Sequence, residues 1–142
     1  MTIGSILQGK GADVVSIARD ARVADAVALL AEKRIGAMPV MDGDRVVGIF
    51  SERDVIHCLK ADGVSALERP VGDAMTSPVE SVGPDSRVIG ALSLMTRRRI
   101  RHLPVIEDGR LIGFVSIGDL VKYRIDRIEA DAAAMRDYIR QA

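Results

Sequence analysis

Leu103–Leu120 reads LPVIEDGRLIGFVSIGDL, and Met38–Val55 reads MPVMDGDRVVGIFSERDV. The two stretches align without a gap. Pro39 matches Pro104, Arg45 matches Arg110, Gly48 matches Gly113, Ser51 matches Ser116 and Asp54 matches Asp119, each pair 65 residues apart (104 − 39 and 119 − 54). A fixed internal period of this kind decides the architecture before any single element does. Each copy predicts a strand, a tight turn, a second strand and the start of a helix.

Working outward, the 142 residues are enough for one compact domain or two small halves that share a core. Hydrophobic residues make up 48% of the chain but aromatics only 3%, so the core is built from Val, Ile, Leu, Ala and Met. Twenty basic side chains balance twenty acidic ones. There is no global field for nucleic acid or an anionic membrane, and any anion site must be local. Cys58 stands alone, which excludes an intrachain disulfide and a cysteine zinc cluster. The first residues, MTIGSILQGKGADV, lack the apolar core of a secretory signal. No apolar run approaches the roughly 18 residues of a membrane span. The expectation is a cytoplasmic protein with no membrane partner.

Residues 1–13 read as a brief lead-in, helical or extended. Val14–Ile17 is β-branched and predicts a strand. Val23, Ala26, Val27, Leu30 and Ala31 follow at helical spacing, with Asp20 near the N-cap and Gly36 as the closing glycine. Met38–Met41 predicts a strand, Asp42-Gly43-Asp44 a hairpin turn and Arg45–Phe50 its partner strand. Ser51 opens a helix to about Lys60. Residues 61–77 connect the halves, with one helical turn at Val71–Met75. The second half then repeats the order: strand Pro78–Val82, turn Pro84-Asp85-Ser86, helix Val88–Arg99, strands Leu103–Ile106 and Arg110–Val115, and a helix after Ser116. The fold class is α/β (α+β): two β-α-β-β-α repeats, residues 14–60 and 78–124, paired about a pseudo-twofold axis. The last helix runs on through residues 125–142. Val121, Ile125, Ile128, Ala132, Met135 and Ile139 fall on it at steps of 4, 3, 4, 3 and 4. That narrow heptad stripe predicts an interface, with a homodimer as the expectation; the alternative is a helix folded back on its own core.

Ser51-Glu52-Arg53-Asp54 and Ser116-Ile117-Gly118-Asp119 each sit at a strand-to-helix junction. A helix N-terminus presents backbone N–H groups and the positive end of the dipole, suited to a phosphate. An Asp one turn on can accept from both hydroxyls of a ribose. Gly48 and Gly113 are expected to let a planar base approach the backbone. Ser-x-x-Asp is equally a relative of the capping box, and the two roles can coexist. Arg97-Arg98-Arg99-Ile100-Arg101-His102 is the dense basic cluster. Arg97 and Arg98 read as a solvated helix face. A nucleic-acid role is disfavoured by the neutral net charge and the scarcity of stacking aromatics. His57 and Cys58 make no metal set, and no catalytic constellation is present, so the chain does not read as an enzyme.

The doubled pattern, helix followed by P-V, a turn, h-h-G-h-h-S and an Asp three residues on, resembles the CBS domain, and the pair resembles a Bateman module of the stand-alone bacterial type. The resemblance covers about Val14–Lys60 and Pro78–Arg124. It implies a regulatory module that takes an adenine nucleotide (AMP, ADP, ATP or NAD) between its halves as a regulatory ligand, needs no other cofactor, and signals to a regulated protein by changing shape. Ser51, Asp54, Ser116 and Asp119 take the sugar and phosphate roles by this resemblance, and Ile49 and Phe114 contact the base. Met38, Pro39, Leu103 and Pro104 complete the slots. Arg101 and His102 are phosphate candidates, with Arg53 from the opposite half. The two sites are expected to be unequal, because the second has a basic flank that the first lacks, while the first has Arg53 where the second has Gly118. The alternative reading is a homodimeric interaction scaffold whose slots are empty or incidental.

Overall fold

The computed structural model describes residues 1–11 and 13–141. The elements run α1 (Ile3–Lys10), β1 (Ile17–Ala18), α2 (Val23–Lys33), β2 (Ala37–Asp42), β3 (Arg45–Ser51) and α3 (Glu52–Asp62). A 3₁₀ turn over Gly63–Glu68 leads to α4 (Val71–Ala74), α5 (Val88–Arg98), β4 (His102–Glu107), β5 (Arg110–Ser116) and α6 (Ile117–Gln141). Among the described residues no helix is long and apolar enough to cross a membrane.

The repeat is reproduced down to its irregularities. β2 pairs antiparallel with β3, and β4 with β5. Both ladders slip by one residue at the same place, between Val40 and Met41 and between Val105 and Ile106, so that Val47 and Ile112 bulge out beside Gly48 and Gly113. The turns differ in detail. Gly43 alone takes a positive φ (61°) in the first, whereas Asp108 (52°) and Gly109 (78°) both do in the second, the I′ pattern of a two-residue hairpin. The two cores are volume-compensated. Phe50 of the first corresponds to Val115 of the second, while Leu120 and Ile3 of the second stand where the first has the smaller Val55 and Val71.

Several expected elements differ. The first strand is only Ile17–Ala18, running parallel to Val40–Met41, because Pro39 has no N–H to carry the ladder further. Pro78–Val82 is not a strand. Val82 alone bridges Val105, and the second sheet has two strands where the first has three. Asp20 does not cap α2, whose N-cap is Arg22. Nor does Gly36 close that helix. Arg34 ends it in the left-handed region (φ 52°), and Arg99 does the same for α5 (φ 55°).

Residues 1–13 are more than a lead-in. Thr2 caps α1, and Ile3 and Ile6 of that helix are buried in the core of the second repeat, beside Val88, Leu103 and Val115. Conversely α4, which precedes the second repeat, buries Val71 in the core of the first, beside Val23, Met38 and Phe50. The backbone joints are equivalent. The Ile3 N–H donates to Ser86 O at 2.8 Å, and the Val71 N–H to Ala21 O at 2.7 Å. Each repeat is thus completed by the short helix that lies ahead of the other. Fully burying a side chain such as Ile3 or Val71 contributes about 1.5–3 kcal/mol.

Gly48 and Gly113 serve this exchange. Both are buried. A Cβ on Gly113 would lie 2.5 Å from Leu7 Cδ2 of α1, and one on Gly48 would overlap Met75 Sδ just past α4. The expectation that these glycines open the backbone to a flat base is therefore corrected: Leu7 and Met75 occupy that space. Gly48→Ala is expected to destabilise by about 1–3 kcal/mol, the usual range for overpacking. Adding Met75→Ala should recover part of that loss, so the double-mutant cycle by urea denaturation should be clearly non-additive.

Candidate functional site

β3 ends at Ser51 because the next three residues form a reciprocal cap. The Ser51 N–H donates to Asp54 Oδ2 at 2.9 Å, and the Asp54 N–H donates to Ser51 Oγ at 3.4 Å. The Ser51 hydroxyl donates to the same carboxylate oxygen at 3.0 Å. Asp54 Oδ1 accepts from Thr76 Oγ1 at 2.8 Å, and Thr76 also pairs through its backbone with Ile49. An ionised carboxylate offers about four lone-pair directions. Three are taken, and one on Oδ1 stays open.

This junction opens into a cleft of about 510 Å³ lined by both repeats. The first half supplies Gly36, Ile49, Ser51, Glu52, Arg53 and Asp54, the linker supplies Thr76, and the stretch just after it supplies Pro78, Val79 and Glu80. The second half supplies Arg98 to His102, Ser116 and Ile117. Four arginines (Arg53, Arg98, Arg99, Arg101) and three acidic residues (Glu52, Asp54, Glu80) line it, so a chain of zero net charge carries a local positive excess here. Arg98 Nε and Glu80 Oε1 pair at 3.3 Å, which leaves Arg53, Arg99 and Arg101 with no carboxylate within ion-pair reach among the described residues.

Seven of the residues read from the sequence line this one cleft: Ile49, Ser51, Arg53, Asp54, Arg101, His102 and Ser116. Met38 and Leu103 do not, because both are fully buried in the two cores. Pro39 and Pro104 are buried in their strands and also lie outside the lining. Phe114 reaches the site only through His102, on which it stacks with ring centroids 5.6 Å apart. Arg98, read as a solvated helix face, is indeed exposed and also stands at the cleft wall. Thr76 and the stretch Pro78–Glu80 were not legible, since no local pattern shows that a linker will fold across the other repeat's carboxylate.

The helix tips are less open than the junction pattern suggested. The Glu52 N–H donates to Gly36 O at 3.0 Å, and the Ile117 N–H to Arg101 O at 2.8 Å. With Asp54 and Asp119 also capped by their serines, most of the N-terminal donors are satisfied internally. The groups in the cleft suited to an anion are therefore the arginines rather than the helix tips.

Asp119 is outside the cleft lining, and its surroundings differ from those of Asp54. Its Oδ2 accepts from the Ser116 N–H at 2.8 Å and pairs with Lys10 Nζ at 2.6 Å. Lys10 Nζ also donates to Phe114 O at 2.6 Å. In the first repeat the equivalent carbonyl, Ile49 O, receives the Thr76 N–H at 2.8 Å. One ammonium thus meets both the carbonyl and the carboxylate that Thr76 meets in the first repeat, but on the cap oxygen Oδ2 where Thr76 takes Oδ1. Burial works against the charge on Asp119, but hydrogen bonds from Lys10 and Ser116 outweigh it and hold the carboxyl below its ordinary value. His102 is pushed down, first by burial and then by the Arg101 charge, so it is a neutral imidazole at pH 7 and offers an N–H in place of a cation.

A family model for the CBS domain matches residues 10–61 and 71–126. The chain is 33% identical over 147 aligned positions to the CBS domain-containing protein CBSX3, mitochondrial, of Arabidopsis thaliana, covering 97% of this chain and 71% of that protein. It superposes on a CBS-domain-containing protein of Agrobacterium tumefaciens with a TM-score of 0.84 at 38% identity, covering 87% of this chain and 99% of the other. It also shares the fold of the CBS domain pair of protein MJ0100, solved in complex with 5′-methylthioadenosine and S-adenosyl-L-methionine (TM-score 0.79, 20% identity, 89% of this chain and 98% of the other).

Two pH effects follow from these surroundings. Asp119, depressed in the fold, contributes stability that is present above the unfolded value of about 3.9 and lost as pH falls through its lowered native value. Lys10→Met should therefore destabilise most above about pH 4 and converge with the parent in stronger acid. His102 is also depressed in the fold, so its linkage has the same sign in a higher pH window. The unfolded chain binds its proton more readily, so stability should fall as pH drops below about 6.5, and His102→Gln should flatten that part of the curve. Urea denaturation midpoints from pH 2.5 to 8 test both.

Proposed function

The chain belongs to the CBS-domain family, with two copies in tandem, and from that premise we propose that it is a regulatory module that binds an adenine nucleotide or a related adenosine compound in the cleft between its repeats. The observation that carries this reading is that a capped carboxylate with an open lone pair, Asp54, and three arginines without carboxylate partners, Arg53, Arg99 and Arg101, line the same 510 Å³ space from opposite halves. That volume is within the about 300–1,000 Å³ of small-molecule sites. The MJ0100 pair, with its methylthioadenosine and S-adenosylmethionine, supports an adenosine scaffold. The arginines favour a phosphate-bearing member such as AMP, ADP, ATP or NAD.

In this reading one sugar hydroxyl donates to the open position on Asp54 Oδ1, and the second takes the place of the Thr76 hydroxyl. Ile49 and Val79 supply apolar surface for the base. Phosphates meet Arg99 and Arg101, with the His102 N–H beside them. Because Asp54 and Arg101 belong to different repeats, a ligand held by both favours one angle between the halves over others, and that differential affinity is what a signal to a regulated protein requires. The second slot is the weaker one in this reading, since Asp119 lies outside the cleft lining and its charge is already paired with the Lys10 ammonium through Oδ2.

A second reading has its own observation. The stripe Val121, Ile125, Ile128, Met135 and Ile139 is exposed, so the long helix is not folded back on its own core. We infer a homodimer through this face, whether or not the cleft is occupied.

Asp54→Asn keeps the shape of the cap but removes the charge. A hydrogen bond to a charged group is worth about 1.5–3 kcal/mol, so nucleotide affinity should fall by roughly 10- to 150-fold, with Asp119→Asn having a much smaller effect. Titration calorimetry with AMP, ADP, ATP, NAD, S-adenosylmethionine and methylthioadenosine tests this. Absence of binding by all six would overturn the sensor reading and leave the dimeric scaffold.

A further inference from the structure

The first turns of α6 are anchored. Leu120 is fully buried and Ile117 and Tyr123 pack on the second core. From Arg124 to Gln141 the helix leaves the body, and apart from the half-buried Ala133 each of these residues is exposed. Exposure of the large stripe residues runs from 43% at Val121 to 65% at Ile139. Among the described residues, none of the charged side chains of α6 beyond Asp119 joins an ion pair within the chain. Most helical stability in proteins comes from packing an apolar face, and among the described residues this stretch packs its face on nothing within the chain. The helix needs a cover.

We propose that the cover is the same helix of a second copy, joined as a parallel, in-register, two-stranded coiled coil over Val121–Gln141. This rests on the dimer reading above and adds its orientation. With Ile125, Ala132 and Ile139 at a and Val121, Ile128 and Met135 at d, the e positions are Lys122, Glu129 and Arg136, and the g positions are Arg124, Asp131 and Tyr138. In a parallel pair each g residue faces the following e residue across the seam. Arg124 then meets Glu129 of the partner subunit, and Asp131 meets Arg136 of the partner subunit. By symmetry each contact occurs twice.

The antiparallel alignment that covers the whole stripe sets Ile125 against Met135 of the partner subunit. It places Glu129 opposite Glu129 of the partner subunit, Asp131 opposite Asp131 of the partner subunit, and Lys122 opposite Arg136 of the partner subunit. All three are like-charge contacts. Sliding by one heptad relieves them, but leaves two of the six stripe positions uncovered on each helix. Ala132 at the central a layer favours two strands over three, because a small side chain lets two axes approach closely and leaves a hole around a threefold axis.

The test uses full-length protein carrying Cys58→Ser, so that no other thiol competes. Light scattering should give a dimer. Ile125→Cys and Met135→Cys, each alone, should form intermolecular disulfides under mild oxidation, because in register each position meets itself. Arg124→Glu and Glu129→Arg should each weaken the dimer by about tenfold, since each turns two attractive contacts repulsive, and together they should restore it. If only a mixture of the Ile125→Cys and Met135→Cys proteins cross-links, the helices are antiparallel; the orientation is then overturned and the dimer reading stands. A trimer overturns the two-stranded arrangement. A monomer at micromolar concentration overturns both the coiled coil and the dimer reading.

Discussion

The exchange of short helices between the repeats is the constraint on which the rest depends. Neither hairpin can bury its apolar face with its own two helices alone. α1 supplies Ile3 and Ile6 to the second half, and α4 supplies Val71 to the first. The lost side chain at Gly48 and Gly113 makes room for what comes with them, Met75 in one case and Leu7 in the other. Cutting the chain between the repeats would therefore leave each piece with the other's helix and without its own. The cleft is a consequence of this arrangement. To place α4 under the first half, the linker must cross the Ser51–Asp54 junction, and that crossing brings Thr76 and Pro78–Glu80 to the site.

The period of 65 residues made the hairpins, the two main helices of each repeat and the Ser-x-x-Asp junctions legible. These are local patterns, and the structure keeps them at the same spacing, including a bulge that no residue announces. What stayed hidden was non-local. Nothing in Val71–Met75 says which half it completes, and nothing in Lys10 points to a carboxylate 109 residues away. The same holds for the glycines. Their matched positions were visible, but a matched glycine can serve a base, a turn or a neighbouring helix, and only packing distinguishes these. Met38 and Leu103 belong to the slots only by the resemblance, and alternation along the strand turns them inward, into the two cores.

Capping and ligand reading compete for the same atoms at these junctions. A serine that caps and an aspartate that returns the favour leave few groups free, and the remaining N–H groups go largely to Gly36 and Arg101 carbonyls. A reciprocal cap also has a use. It fixes the carboxylate in one rotamer, so that its open lone pair points in a set direction without further ordering cost on binding. The charge that an anionic ligand needs then comes from elsewhere. Arg99 illustrates this: it holds a left-handed backbone conformation that a glycine would adopt with less strain, and its guanidinium lines the cleft.

The divergence of the two halves follows from the lengths of the exchanged helices. α4 stops after four residues, and the chain beyond it extends to pair with Ile49, which brings a neutral hydroxyl to Asp54. α1 continues to Lys10, and among the described residues no extended segment pairs with Phe114 as Thr76 pairs with Ile49. The carbonyl that this leaves without a backbone donor is satisfied by the lysine ammonium, which reaches Asp119 at the same time. An ammonium is a stronger partner for a carboxylate than a hydroxyl, and its hydrogen bonds are charge-assisted. The lysine shares the cap oxygen Oδ2 and lowers the charge that Asp119 can offer a ligand, whereas at Asp54 the Thr76 hydroxyl on Oδ1 is exchanged for another hydroxyl. Two junctions with the same Ser-x-x-Asp sequence are thus set apart by one extra turn of helix nearly the whole chain length away.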